Sequence, residues 1–310
     1  MNGRSASLPA RAVGGAPVAR SWTAGLVLAL AVLLVGCSGP LGSPDASSPS
    51  TSPTPSGEDE AISHPTGASD LILREEVGGG FVPIGFFATQ APFFSLYGDG
   101  TVIYRDETAP LPEPGPDGIV RGHPFRRARL AEAQVQELLR FALTEGGLGI
   151  ARERYDAPNV ADAPTTTFVI RAGGLDKTVS VYALGLETPE SADALARRAF
   201  LRLDERLRGL ISSGSLGGDV WHPDRWRGTL SEATPVGAPV PWPWSDVAPA
   251  DFVADPASNV WLPRRTMTST EVEVLGLEDI EGGFHGLELA GPDGKVYVFG
   301  LRPLLPDETG

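Results

Sequence analysis

Three glycine-centred turns constrain this chain more than any other feature. Phe93-Phe94-Ser95-Leu96-Tyr97 and Thr101-Val102-Ile103-Tyr104 flank Gly98-Asp99-Gly100. Thr165 to Ala172 and Lys177 to Ala183 flank Gly173-Gly174-Leu175-Asp176, and Gly286 to Ala290 and Lys295 to Leu301 flank Gly291-Pro292-Asp293-Gly294. Glycine reaches positive φ without a steric penalty, so each pair predicts a β-hairpin. A tight turn can only join antiparallel strands. Asp99 could pass for a catalytic or metal-binding carboxylate, but Asp beside Gly is first of all turn chemistry.

Helices separate the hairpins. Leu130, Val135, Leu138, Leu139, Ala142 and Leu143 follow a helical period that Gly146-Gly147 stops. Thr188-Pro189 supplies an N-cap and a first-turn proline for a second helix running to about Leu210, with Leu195, Ala199, Leu203, Leu207 and Leu210 as its buried stripe. On its outer side Asp193 with Arg197, and Asp204 with Arg208, are four-residue ion pairs. Thr268 and Glu271 fit a capping box ahead of a short third helix. The expectation is an α+β fold: an antiparallel, hairpin-built sheet with two main helices.

Ser212 to Pro263 differs in kind. Of the six tryptophans, all but Trp22 fall here, at Trp221, Trp226, Trp242, Trp244 and Trp261, among Pro223, Pro241 and Pro243. Proline removes backbone donors, so the segment reads as an irregular wrap with neither a helix nor a central strand. The rings have two readings. Burying their large area would pin an irregular segment, and flat amphipathic rings could instead stack on sugars as a ligand-binding face. The packing reading takes precedence.

Arg4, Arg11 and Arg20 give the first twenty residues a positive charge with no acid, and an unbroken apolar run follows from Leu26 to Val35. This is a signal peptide's charged and apolar regions, and the run is too short to cross a bilayer, which needs about 20 apolar residues. It ends in Leu34-Val35-Gly36-Cys37, which carries the only cysteine. At these residues the chain resembles bacterial prolipoproteins. The resemblance implies diacylglycerol and further acylation, such as palmitate, on Cys37, with cleavage after Gly36 and anchoring to the outer face of the cytoplasmic membrane. It also implies export as an extracytoplasmic envelope protein.

The expected organisation is a signal peptide over 1–36, a Ser/Thr/Pro-rich tether over 37–69, an α+β domain over 70–211, and the wrap with its closing hairpin over 212–310, packed on the same body. As a coil, the tether's thirty-odd residues would hold the domain on the order of 30 Å from the bilayer. His64 lies in it, with solvation as its expected state. Removing residues 1–36 takes away three arginines and no acid, so the formal charge of −14 becomes −17. That surface repels polyanions and argues against nucleic acid as a partner. From about Leu71 to Leu184, the order of Pro-aromatic strand, Gly-Asp-Gly hairpin, helix, Asp-Ala-Pro strand and Thr-Val-x-Val-Tyr return strand is similar to small secreted bacterial domains of unknown function, which implies architecture only.

Signatures of chemistry are missing. With Cys37 lipidated, the exported part has no thiol for disulfides, nucleophilic catalysis or metal–sulfur sites. Neither Gly-x-Ser-x-Gly nor Ser-x-x-Lys occurs, and the only lysines, Lys177 and Lys295, lie outside any phosphate loop. His285 and Glu288 are three apart on a predicted strand, where odd spacing puts them on opposite faces. His222, beside Trp221 and Asp224, lacks ligand companions, and His123 sits without a partner in the proline-rich loop from Thr108 to Pro124. No catalytic residue, metal or cofactor is assigned. Arg126, Arg127 and Arg129 could form an anion site, but before a helix N-terminus they oppose its dipole, which favours a solvated cluster or pairing with Glu132. The leading expectation is therefore a non-catalytic binding or interaction module held to the membrane through Cys37, with an envelope glycan or protein as partner. The alternatives are a glycan-active hydrolase using Asp or Glu residues and a transport solute receptor, which the dominance of hairpins over βαβ units disfavours.

Overall fold

The computed structural model describes residues 61–309 apart from 114, 116, 117, 187–191 and 257–261. The signal segment, Cys37, most of the tether, the Thr188-Pro189 cap and Trp261 lie outside the described residues. The described residues all belong to one compact unit.

The fold is α+β, with two largely antiparallel sheets. The first opens with β1 (Leu71–Gly79), followed by the five-residue α1 (Ile84–Ala88), and then the Gly-Asp-Gly hairpin of β2 (Phe94–Tyr97) and β3 (Thr101–Arg105). After the short β4 (Val120–Arg121) come β5 (Phe125–Arg129), α2 (Glu132–Leu143) and β6 (Arg154–Tyr155). The second predicted hairpin is β7 (Pro164–Ala172) with β8 (Leu175–Tyr182), leading to α3 (Ala194–Ser212) and β9 (Asp219–Val220). In space the order is β6-β8-β7-β1-β2-β3-β5-β9.

The second sheet is built from β10 (Arg225–Glu232), β11 (Val240–Pro241), β12 (Arg264–Thr268), β13 (Phe284–Ala290) and β14 (Val296–Pro303), in the order β11-β13-β14-β10-β12. β4 pairs with β13 and so ties the first half of the chain to this sheet. Between β12 and β13, α4 (Ser269–Glu273) starts at the expected box: Thr268 Oγ1 accepts from the Glu271 amide, while the Glu271 carboxylate accepts from the Thr268 amide at 2.8 Å.

Each sheet has its own core. On one face of the first, Val102, Tyr104, Phe168, Ile170, Val179 and Val181 pack against Val135, Leu138 and Leu139 of α2 and Phe200, Leu203 and Leu207 of α3. Full burial of a leucine such as Leu203 or Leu207 contributes about 1.5–3 kcal/mol. On the opposite face, Tyr97, Ile103 and Phe125 are covered by Trp221 and Leu305. The second core gathers Trp226, Leu230, Trp244, Met267, Phe284 and Phe299.

Several expectations are revised. The segment expected to wrap irregularly contributes β10, which lies between β14 and β12 as an interior strand; the prolines stand outside it, so its amides remain free to pair. The inward stripe of α3 is Ala199, Phe200, Leu203, Leu207 and Ile211, whereas Leu195 is 78% exposed. Arg197, expected outside, is buried and donates from Nη1 to the Tyr182 carbonyl at 3.0 Å, and Asp193 pairs with Arg152 instead. Asp204 and Arg208 do pair, at 2.7 Å.

The end expected of the tether is attached to the body. Gln136 on α2 accepts from the Ile62 amide at 2.7 Å and donates to its carbonyl at 2.9 Å, and the Ser63 carbonyl accepts from Gly173. The His64 side chain, expected in solvent, is 5% exposed and bonds Glu132 Oε1 at 3.1 Å. Pro65 crosses so close to the first hairpin turn that a Cβ on Gly98 would lie 2.2 Å from its carbonyl oxygen, so that glycine serves close approach as well as the turn.

Candidate functional site

The arginines after β4 stand on a strand. Arg126, Arg127 and Arg129 belong to β5, so no helix dipole opposes them, and Glu132 is engaged by His64. Alternation sends Arg126 to the helix-covered side, where it meets Asp106 and Gly218, and sends Arg127 and Arg129 to the other. There they line an open groove of about 880 Å³. Asp99 and Thr101 of the first hairpin form one end, Ala68 and Ser69 border it, and Trp221, Asp224, Arg225 and Leu304 form the far wall.

The charges of this groove are unequal in their freedom. Asp99 accepts from the Thr101 amide and hydroxyl, as a turn residue does, and reaches Arg129 at 3.3 Å. Arg225 donates to the Glu308 carbonyl at 2.8 Å. Arg127 is exposed beside these pairs. The groove is therefore a cationic recess on a chain of formal charge −14, suited to anionic or hydroxyl-rich groups that take guanidinium hydrogen bonds.

The described tryptophans are distributed through the cores. Trp221 is 8% exposed, meets the Phe125 ring edge-on with centroids 6.3 Å apart, and lines the groove. Trp226 and Trp244 are buried and Trp242 is half-buried. Trp242 and Trp244 pack edge to face at 5.1 Å, and their indole N–H groups donate to the carbonyls of Val247 and Glu271, each at 2.7 Å. Their faces are committed to protein contacts, so Trp221 alone of the described tryptophans borders an opening among the described cavities.

Alternation does not separate the histidine and glutamate of the last hairpin as expected. β13 carries an irregularity between Phe284 and Leu287, with Gly286 at φ +96°, so these two residues, three apart, share the inward face, and His285 and Glu288 are kept apart by their partners. His285 meets Phe86 edge-on, while Glu288 accepts from the amides of Val236 and Gly237. His222 is exposed, 3.8 Å from Glu281. His123 Nδ1 lies 3.1 Å from the Ala109 carbonyl. Among the described residues no three His, Cys, Asp or Glu side chains converge as metal ligands would.

One further surface had no sequence signal beyond its apolar residues. Phe81, Val82, Ile84 and Phe86, before and within α1, are exposed together. Phe86 also walls a recess of about 260 Å³ with Leu111, Val120 and His285. Contiguous exposed apolar side chains rimmed by polar ones are typical of interaction surfaces.

No known protein-family pattern matches this chain, and no curated protein matches it.

Proposed function

We propose that this chain is a lipid-anchored, extracytoplasmic binding module of the cell envelope. The observation that carries the proposal is in the sequence: Leu34-Val35-Gly36-Cys37 directly after a charged and then an apolar segment. Support for a binding role comes from the folded body, which offers the groove lined by Arg127, Arg129 and Trp221 and the exposed apolar loop at Phe81 to Phe86. The groove suits a glycan. Its guanidinium groups can take hydroxyl or carboxylate oxygens, and the rim of Trp221 offers an apolar edge.

The test is expression of the full chain in a bacterium with labelled palmitate, alongside Cys37→Ser. The unaltered chain should carry label and partition with membranes, and the variant should lose both. Equal labelling of the two proteins would rule out the anchor. For the groove, tryptophan emission should shift on titration with envelope glycan fragments, and Trp221→Phe should remove the shift; a response that survives this substitution places binding elsewhere. The apolar loop favours a second reading, a protein partner. In that case Phe81→Asp would abolish a cross-linked complex and leave glycan titrations unchanged.

A further inference from the structure

The second sheet has a face that its core does not use. Along β10, Trp226 and Leu230 point into the core, as a side chain at Gly228 would, so Arg227 and Thr229 point away from it. The register then aligns arginines from three neighbouring strands on that outer face. Arg302 of β14 lies opposite Arg227, and Arg264 of β12 lies opposite Thr229. Across from them stand the end of β1 and the end of α1 with the residues that follow it, leaving a cleft of about 240 Å³ lined by Arg227, Arg264, Arg302, Glu76, Phe87 and Gln90.

Two of these guanidinium groups are balanced. Arg302 forms a fork to the Glu308 carboxylate, with N···O distances of 2.7 and 2.9 Å, and Arg264 pairs with Asp255. Arg227 is different. Its hydrogen bond is a long one, 3.3 Å, to the Thr309 carbonyl, and no carboxylate of the described residues stands within ion-pair distance of it. Burial first, and the positive charges of Arg302 and Arg264 after it, push its pKa down to about 10, so it remains a cation at neutral pH. Glu76 lines the cleft without an ion pair to any of the three. A polar group of opposite character is also unmatched: Gln90 Oε1 is buried and has no hydrogen-bond partner. A half-buried cation beside two others, and a buried acceptor with no donor among the described residues, are each groups that a partner of matching chemistry stabilises.

One chemistry satisfies both. We propose that this cleft is a binding site for a small hydroxylated oxyanion of monosaccharide size, a sugar carboxylate or a sugar phosphate. Its anionic group takes the free face of the Arg227 fork, a turn of the half-buried Gln90 amide brings Oε1 to a ligand hydroxyl, and the sugar body lies against Phe87. The volume is below the roughly 300–1,000 Å³ of sites for drug-sized ligands, which limits the body to about one ring. The proposal stands independently of the lipid anchor and of the Trp221 groove.

The test is calorimetric titration of the full chain, purified in detergent, with glucuronate, glucose 6-phosphate and neutral glucose. One of the two anions should saturate a single site, glucose should not, and the affinity should fall as salt rises. The anion that binds identifies the source of the charge. Arg227→Gln should weaken binding at least tenfold, Gln90→Ala several-fold, and Arg127→Gln in the separate groove should leave it unchanged. Should Arg227→Gln fail to fold, shown by loss of the thermal transition, Gln90→Ala carries the test. Absence of saturation by either anion would overturn the proposal. So would equal binding of glucose, or a folded Arg227→Gln that binds within twofold of the original.

Discussion

Glu75 shows at the scale of one residue how tertiary structure rewrites a sequence that reads as ordinary. Its side chain is fully buried, and the group that bears on it most directly is another carboxyl, Asp204. Arg208 Nη2 approaches only to 3.8 Å, because that guanidinium is already held by Asp204 at 2.7 Å and Glu107 at 3.1 Å. Burial first, and the adjacent Asp204 carboxyl next, push the Glu75 pKa well above the carboxylate range, with Arg208 opposing. The folded state thus holds a proton that the unfolded chain releases near pH 4.3. Above that pH, and until the folded group itself ionises, the native state binds more protons than the unfolded one, so stability falls as pH rises. Glu75→Gln should remove this slope. Its melting temperature should exceed that of the original protein at pH 8, because the amide folds without having to take up a proton, and the gap should close toward pH 4.5. A gap that is constant from pH 4.5 to 8 would mean that Glu75 is not the titrating group.

Among elements, β10 is the one that composition conceals. The tryptophans and prolines of the region suggested an irregular segment, yet Arg225–Glu232 contains no proline and alternates Trp226, Gly228 and Leu230 with Arg227 and Thr229. Pairing on both sides, with β14 and β12, then makes it an interior strand. Its glycine is the point of closest packing: a Cβ at Gly228 would lie 2.6 Å from Met267 Sδ and 2.9 Å from Phe299 Cε2. Gly228→Ala should therefore destabilise by about 1–3 kcal/mol through overpacking. Gly237→Ala, where the nearest atom is 3.9 Å away, serves as the control and should change little. Urea midpoints compare the two, and equal midpoints would show that the core yields without cost. The hairpins and α2 were legible because glycine turns and a 3.6-residue period are local signals. The inward face of α3 was misjudged at Leu195, which at 3.6 residues per turn stands about 80° round the helix from Leu203 and about 120° from Leu207, while Arg197 takes the buried place in the first turn.

For the whole molecule, the decisive contacts are made after the last strand. Asp307 accepts from Arg74 Nη2 at 2.6 Å and from the Tyr97 hydroxyl at 2.9 Å, which fixes the segment following β14 against β1 and β2 of the other sheet. Leu305 adds apolar contact on the same face, and Glu308 binds Arg302. Asp307→Ala would leave the Arg74 guanidinium buried without its carboxylate, at a cost of about 3–5 kcal/mol. Because the clamp joins the two sheets, the variant's calorimetric unfolding should broaden or divide into two transitions, while Asp307→Asn should retain part of the clamp. A single sharp transition at the original temperature would show that the sheets hold together without it.

The chain alone predicts the hairpins, the helices between them, the capping box at Thr268 and the α+β class, because each rests on interactions among residues close along it. It also contains the segment ending at Cys37 on which the proposal of an anchor rests. Strand order and packing were needed to show that most of the described tryptophans are core, that residues 62–65 belong to the body, and that arginines 227, 264 and 302 converge on one cleft. Those outcomes depend on strand order and on which face each strand presents. A charge pattern cannot reveal neighbours that lie across a sheet and dozens of residues apart in the chain.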